Sequence, residues 1–289
     1  MKVTSSCLAI VGLLMAAVSQ AATTVDVGHP YAYGANIGWV NAQGDGTNGA
    51  VLGQSFCTGY LWSANCGWIS LGNGPTNGWQ YSNTASNDWG VNHDGEGRLT
   101  GYAYGANIGW INFEQTYGQP RIDLRTGNLS GYAWGANVGW IGFTNSQAFV
   151  QSTLAPGADT DGDGIPDAWE RRRAGNLTTL GVGDLDADDD GVPDVDEYAA
   201  DTDPLTGEQL EITALTQANG TNVVTWPSRP TRLYYVEATN AMPSGAAGWA
   251  DVGGGLIGPP ASSPQQTAIA QAGATATFYR VRAVVPLAE

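Results

Sequence analysis

The sequence predicts a mainly β protein in three parts. These are an N-terminal β-hairpin repeat domain, a short acidic connector with two small helices, and a C-terminal β-sandwich. Three observations carry this reading. A glycine- and tryptophan-rich motif recurs four times before residue 150, two acidic loops of identical spacing follow, and period-two alternation dominates from residue 208 onward. The chain has 289 residues, enough for two domains that each bury a core. Its net charge of −16 disfavours nucleic acid and anionic membranes as partners and favours cations.

Residues 1–22 read as a signal peptide. Lys2 supplies the positive start, Leu8 to Val18 is a short apolar run, and Ser19-Gln20-Ala21 offers small residues for cleavage after Ala21 or Ala22. The expected location is therefore secreted, extracellular or at the cell surface, and no later stretch is apolar enough for membrane insertion. Two cysteines remain, Cys57 and Cys66, nine residues apart. In an oxidising compartment such a pair is a candidate disulfide. Cys66 also stands where Ile37, Ile108 and Val138 stand in the other repeats, which allows it to be a small buried apolar residue instead.

Within residues 23–150, four segments align: Tyr31-AYGANIGWV, Tyr60-LWSANCGWI, Tyr102-AYGANIGWI and Tyr132-AWGANVGWI. Their starts are 29, 42 and 30 residues apart. Tyr102 and Tyr104 share one side of a strand, because side chains alternate. Gly105-Ala106-Asn107 has turn chemistry, and Gly109 to Phe113 resumes the alternation. A further strand precedes each of the last two hairpins, with turns at Asp94–Arg98 and Asp123–Asn128. Stacked hairpins of this kind build a sandwich, a prism or a small solenoid, open or closed. The longer second interval, Gly72 to Trp89, reads as a surface loop.

Eight of the eleven tryptophans lie in this region. Repetition at fixed places favours an internal aromatic ladder for Trp39, Trp68, Trp110 and Trp140. Trp79 and Trp89, in the inserted loop, are the candidates for an exposed ligand-binding surface. His29 and His93 are isolated and read as surface histidines.

The connector, residues 157–205, holds the one specific chemical pattern. Asp159, Asp161, Asp163, Gly164, Ile165, Asp167 and Glu170 fall at positions 1, 3, 5, 6, 7, 9 and 12 of a loop. Asp186, Asp188, Asp190, Gly191, Val192, Asp194 and Glu197 repeat that register. Alternate residues of a curled loop point inward, glycine permits the sharp turn, residue 7 offers its carbonyl, and a following helix brings the glutamate round. Oxygen donors so spaced suit calcium, about two ions. Pro166 and Pro193 suit helix starts, and Asp167 and Asp194 suit the positive helix end.

The segment resembles the thrombospondin type 3-like, or half-EF-hand, calcium repeats of exported bacterial modular proteins. The resemblance implies calcium binding by the aspartates and following acids just named. Ala155-Pro-Gly-Ala stands where a full EF-hand has an entering helix, so a groove-opening sensor is not expected. Asp201 or Asp203 either adds a ligand or makes an Asx-type turn. Trp169 is expected to pack against a neighbouring helix or domain.

Residues 208–289 alternate as short strands, with Gly253–Pro264 as a loop, and give the β-sandwich. The ending Phe278-Tyr-Arg-Val-Arg-Ala-Val weakly resembles the last strand of a fibronectin type III-like module. Trp226 and Tyr235 are expected in its core. The sequence shows no nucleophile elbow, zinc helix or phosphate loop, and the acids outside the connector lie in turns. The expected function is a secreted, non-catalytic, calcium-binding modular protein, structural or adhesive at the cell surface. The alternative is a carbohydrate-binding protein using the repeat tryptophans, with a glycan as the extracellular partner.

Overall fold

The computed structural model describes residues 23–45, 47–181, 185–218, 220–240, 248–270 and 278–288. The expected signal peptide, residues 1–22, lies outside them. The described residues are mainly β, as the alternation requires.

Each repeat motif forms a hairpin. The first is β1 (Val25–Gly34) with β2 (Gly38–Asn41). A short β3 (Ala50–Leu52) precedes the second, β4 (Cys57–Ser63) with β5 (Gly67–Ser70). Then β6 (Val91–His93) precedes β7 (Leu99–Gly105) and β8 (Gly109–Asn112). Last, β9 (Arg121–Ile122) and β10 (Leu129–Ser130) precede β11 (Tyr132–Gly135), β12 (Gly139–Gly142) and β13 (Val150–Ser152). The main sheet runs β12-β11-β8-β7-β5-β4-β2-β1, and β12 pairs back onto β1. The repeats therefore close into a ring of eight antiparallel strands. The strand that backs the first repeat is β13, from the end of the domain, so the two ends of the repeat region hold one another.

A small barrel has room inside only for modest side chains. Ala32 faces Val40, Leu61 faces Ile69, Ala103 faces Ile111, and Ala133 faces Ile141, all buried. The turn residues Ile37, Cys66, Ile108 and Val138 plug one end, and Leu52, Leu71, Phe113 and Phe143 fill toward the other. A residual cavity of about 20 Å³ is lined by apolar side chains alone. The rings go outside. Trp39, Trp68, Trp110 and Trp140 are 47%, 36%, 49% and 39% exposed, which corrects the expected internal ladder. Trp and Ile alternate in Gly-Trp-Ile, and only the Ile side fits the barrel.

The motif asparagine has a specific task. The Nδ2 of Asn65 donates to Ile37 O, that of Asn107 to Cys66 O, that of Asn137 to Ile108 O, and that of Asn36 to Val138 O, each at 3.0–3.1 Å. Every turn is thus tied to the preceding one, and the cycle closes. The glycine that follows in each motif has positive φ, 71° at Gly38 and 77–78° at Gly67, Gly109 and Gly139.

The Gly72–Trp89 insertion is anchored rather than loose. Tyr81 is buried, its hydroxyl donates to Cys57 O and accepts from Gly74 N, and Asp88 accepts from Thr76 N and Ser82 N. Cys57 and Cys66 are separate buried thiols, which corrects the expected disulfide. Cys57 opens the extended strand β4 and Cys66 lies in the turn beyond its far end, so a rise of about 3.3 Å per residue sets them roughly 20 Å apart, far beyond a disulfide's reach. Burial pushes the Cys57 thiol up to about 12. His93 is also buried, not at the surface: its Nδ1 donates to Gln54 O and its Nε2 accepts from Gly97 N.

The connector contributes α1 (Asp167–Arg173) and α2 (Asp194–Ala200) around Ile165, Trp169 and Leu180. Beyond it lie β14 (Ala214–Ala218), β15 (Thr221–Trp226), β16 (Leu233–Thr239), β17 (Ala250–Asp251), β18 (Gln265–Ala270) and β19 (Phe278–Val284). They form the sheets β14-β15-β18 and β17-β16-β19. Val224, Trp226 and Ile269 from the first meet Tyr234 and Val236 from the second in one core. Tyr234, not the expected Tyr235, is the core tyrosine. Tyr235 points the other way on the strand and lies under the Arg282 guanidinium.

Candidate metal centres

The two acidic loops fold alike and share their main hydrogen bonds. The position-1 carboxylate curls the loop: Asp159 Oδ2 accepts from Gly164 N, and Asp186 Oδ2 from Gly191 N. Position 5 does the same one turn on, with Asp163 Oδ1 accepting from Ile165 N and Asp190 Oδ1 from Val192 N. The sharp turn at position 6 is glycine at φ 93° and 94°. Position 4 is also left-handed, Gly162 at φ 77° and Asp189 at φ 60°. The side chain of Ile165 is fully buried in the connector core, which fixes the first loop onto α1.

This curling also gathers carboxylate oxygens, some of them without partners, at the loop centres. Asp159, Asp161 and Asp163 bring one oxygen each within 4.8 Å of one another, and so do Asp186, Asp188 and Asp190. Over each triplet sits the exit-helix glutamate. Glu170 and Glu197 are both 0% exposed. Both oxygens of Glu170, Oε2 of Glu197, and Oδ2 of Asp163, Asp188 and Asp190 are buried without a hydrogen-bond partner. Burying an unpaired carboxylate costs several kcal/mol, so such oxygens need a proton or a cation. Burial and the neighbouring aspartates push Glu170 and Glu197 up to about 7. Burial, then the charges around it, also raises Asp163. An all-oxygen donor set without His or Cys fits a hard divalent cation of calcium's kind.

Not all twelve expected ligands face the loop centres. Asp167 accepts from Thr160 N and Thr160 Oγ1, and Asp194 accepts from Ala187 N and Gly181 N. Both oxygens of each are thereby engaged in local hydrogen bonds, and neither belongs to the aspartate triplets whose oxygens converge. Ile165 and Val192 stand at position 7, with their N–H groups bonded back to Asp163 and Asp190.

Asp201 is neither a ligand nor only a turn residue. It caps α2 in the left-handed region, at φ 57°. Its carboxylate accepts from Trp169 Nε1, Arg173 and Thr231 Oγ1, joining α1, α2 and the sandwich. Arg232, also buried, donates to Tyr198 O and Ala199 O. On the barrel side, the Tyr198 hydroxyl bonds Gln54 Oε1. No sequence pattern announced this hub.

The tryptophan candidates separate. Trp79 is half-buried, with its loop against Arg171 of α1. Trp89 is half-buried against Trp110 and Tyr104. The prominent rings lie instead on the outer barrel wall, where each repeat sets its tryptophan between two others. These triads are Tyr31-Trp39-Tyr33, Tyr60-Trp68-Trp62, Tyr102-Trp110-Tyr104 and Tyr132-Trp140-Trp134, with centroids 4.8–6.2 Å apart.

No protein-family model, curated protein or solved structure matches this chain.

Proposed function

We propose that the chain is a non-catalytic modular protein that binds about two calcium ions and serves a structural or adhesive role outside the cell. The carrying observation is the pair of fully buried glutamates, Glu170 and Glu197, with unpartnered oxygens above the two aspartate triplets. The likeness to thrombospondin type 3-like repeats and the signal-like N-terminus support the same reading. Calcium would be held by Asp159, Asp161, Asp163 and Glu170 in one loop, and by Asp186, Asp188, Asp190 and Glu197 in the other. There it would replace protons and neutralise repelling carboxylates. The connector would then act as a metal-set joint, because its helices bond to the barrel through Tyr198 and to the sandwich through Asp201 and Arg232.

Isothermal titration of the chelated full-length chain tests this. Two sites are expected, with Glu170→Gln removing one. No heat at millimolar calcium and an unchanged melting temperature would sink the proposal. With a Kd near 10⁻⁴ M, millimolar calcium stabilises by about 1.4 kcal/mol per site.

A second reading, carbohydrate binding, draws on a separate observation: four ring triads of one geometry, half-exposed around the barrel wall. Exposed aromatic faces offer apolar stacking surfaces to sugar rings.

A further inference from the structure

We infer that the barrel carries, at the junction of its third and fourth repeats, a binding site for an acidic polysaccharide. This rests on the carbohydrate reading and names the sugar class and the place. Residues 23–150 contain three basic residues, Arg98, Arg121 and Arg125. Arg98 and Arg121 are direct partners in an isolated antiparallel bridge, so their side chains leave the same face. Both are exposed, and neither has a carboxylate partner among the described residues. Like charges set opposite one another cost stability unless an anion lies between them. With Thr116 and Gln119 they line an open pocket of about 320 Å³.

The loop that forms one wall of this pocket also bears an unexplained ring. Gln119 N donates to Gln115 O and Gln119 Nε2 donates to Thr116 O, closing a tight turn with Tyr117 at its tip. Tyr117 is 90% exposed, far beyond the rings of the triads. Behind it the Trp140 ring lies against Gly118, where an added Cβ would stand 2.9 Å from the indole. One short loop thus brings together an aromatic tip, an aromatic wall, two unpaired guanidiniums and polar side chains. Aromatic faces stack on the C–H faces of sugars, and guanidinium forks pair bidentately with carboxylate or sulfate. A neutral glycan would leave the two arginines unpaired. The net charge of −16 repels any polyanion, so attraction must be local to the two arginines, and single-stranded DNA serves as the competing polyanion.

The test uses the full chain at one fixed calcium concentration, titrated with polygalacturonate, dextran sulfate, a neutral glucan and single-stranded DNA. The proposal expects one of the two acidic polysaccharides to bind, with affinity falling as salt is added. The carboxylated and sulfated arms distinguish which group is recognised. Arg98→Gln with Arg121→Gln, and separately Tyr117→Ala, should each weaken binding about tenfold or more while leaving the melting temperature in place. If the neutral glucan binds as tightly and the arginine changes do nothing, this inference falls while the carbohydrate reading stands. If no polysaccharide binds, both fall. DNA binding as tight as the acidic polysaccharide would also overturn the assignment.

Discussion

At the scale of the residue, Glu170 and Glu197 carry the chemistry of the connector. Each is a carboxylate taken wholly out of water by its helix and surrounded by aspartates. Their folded-state value of about 7 stands above the ordinary 4.5. Without calcium, the folded chain therefore holds more protons than the unfolded chain between about pH 4.5 and 7, and stability falls as pH rises through that window. On the proposed reading calcium would displace these protons, so the loss should vanish in its presence. His93 acts in the opposite sense, since burial keeps it neutral, but it does so with or without calcium. The readout is accordingly the difference in melting temperature between calcium-loaded and chelated protein, which should widen from pH 5 to pH 7.5. A difference that is constant or shrinks with pH would contradict the assignment of both glutamates as ligands.

At the scale of the element, the repeat hairpin shows its constraints through its one deviant copy. In three repeats a glycine precedes the turn, and an added Cβ there would lie 2.6–2.8 Å from Ile37, Ile108 or Val138. The second repeat has Ser63 at that place, and Cys66 is its smaller turn residue. The Ser63 hydroxyl donates to Ile37 O. Cys66→Ile alone should therefore overpack and destabilise by about 1–3 kcal/mol. Adding Ser63→Gly should recover much of that loss, a coupling that urea denaturation of the double-mutant cycle measures. Strict additivity would show that the two positions do not share the space described. The hairpin motif was legible in the sequence for a local reason: strand alternation and a glycine–asparagine turn both act within ten residues. The partner of each asparagine was not legible, because it lies 28 to 102 residues away.

At the scale of the whole molecule, the connector is where three bodies meet. Asp201 bonds α1, closes α2 and accepts from Thr231 of the sandwich, while Leu287 near the C-terminus packs on the barrel core and accepts from Leu154 N. Asp201→Asn keeps the size and tolerates the left-handed backbone, but it removes the charge that pairs with Arg173. We expect a loss of roughly 2–4 kcal/mol by chemical denaturation, since the buried Arg232 guanidinium beside it also loses its compensating charge. The calcium stoichiometry should remain at the wild-type value, because this carboxylate faces the junction. A drop in stoichiometry would return Asp201 to the metal sites.

The sequence by itself determined the mainly β class, the hairpin units and the register of the two acidic loops. These depend on neighbours in the chain: alternation of period two, glycine at a positive φ, and inward-pointing residues at positions 1, 3 and 5. Tertiary structure alone decided the rest. Both sides of Gly-Trp-Ile are apolar, so alternation could not say which side is interior, and only closure into a narrow ring puts isoleucine in and tryptophan out. Asp167 and Asp194 share the acidity of their neighbours, yet the backbone N–H groups of Thr160 and Ala187 claim them. Cys57 and Cys66 are near in sequence, but an extended strand holds them apart. Arg98 and Arg121 are 23 residues apart and come together only because an isolated antiparallel bridge sets them opposite one another.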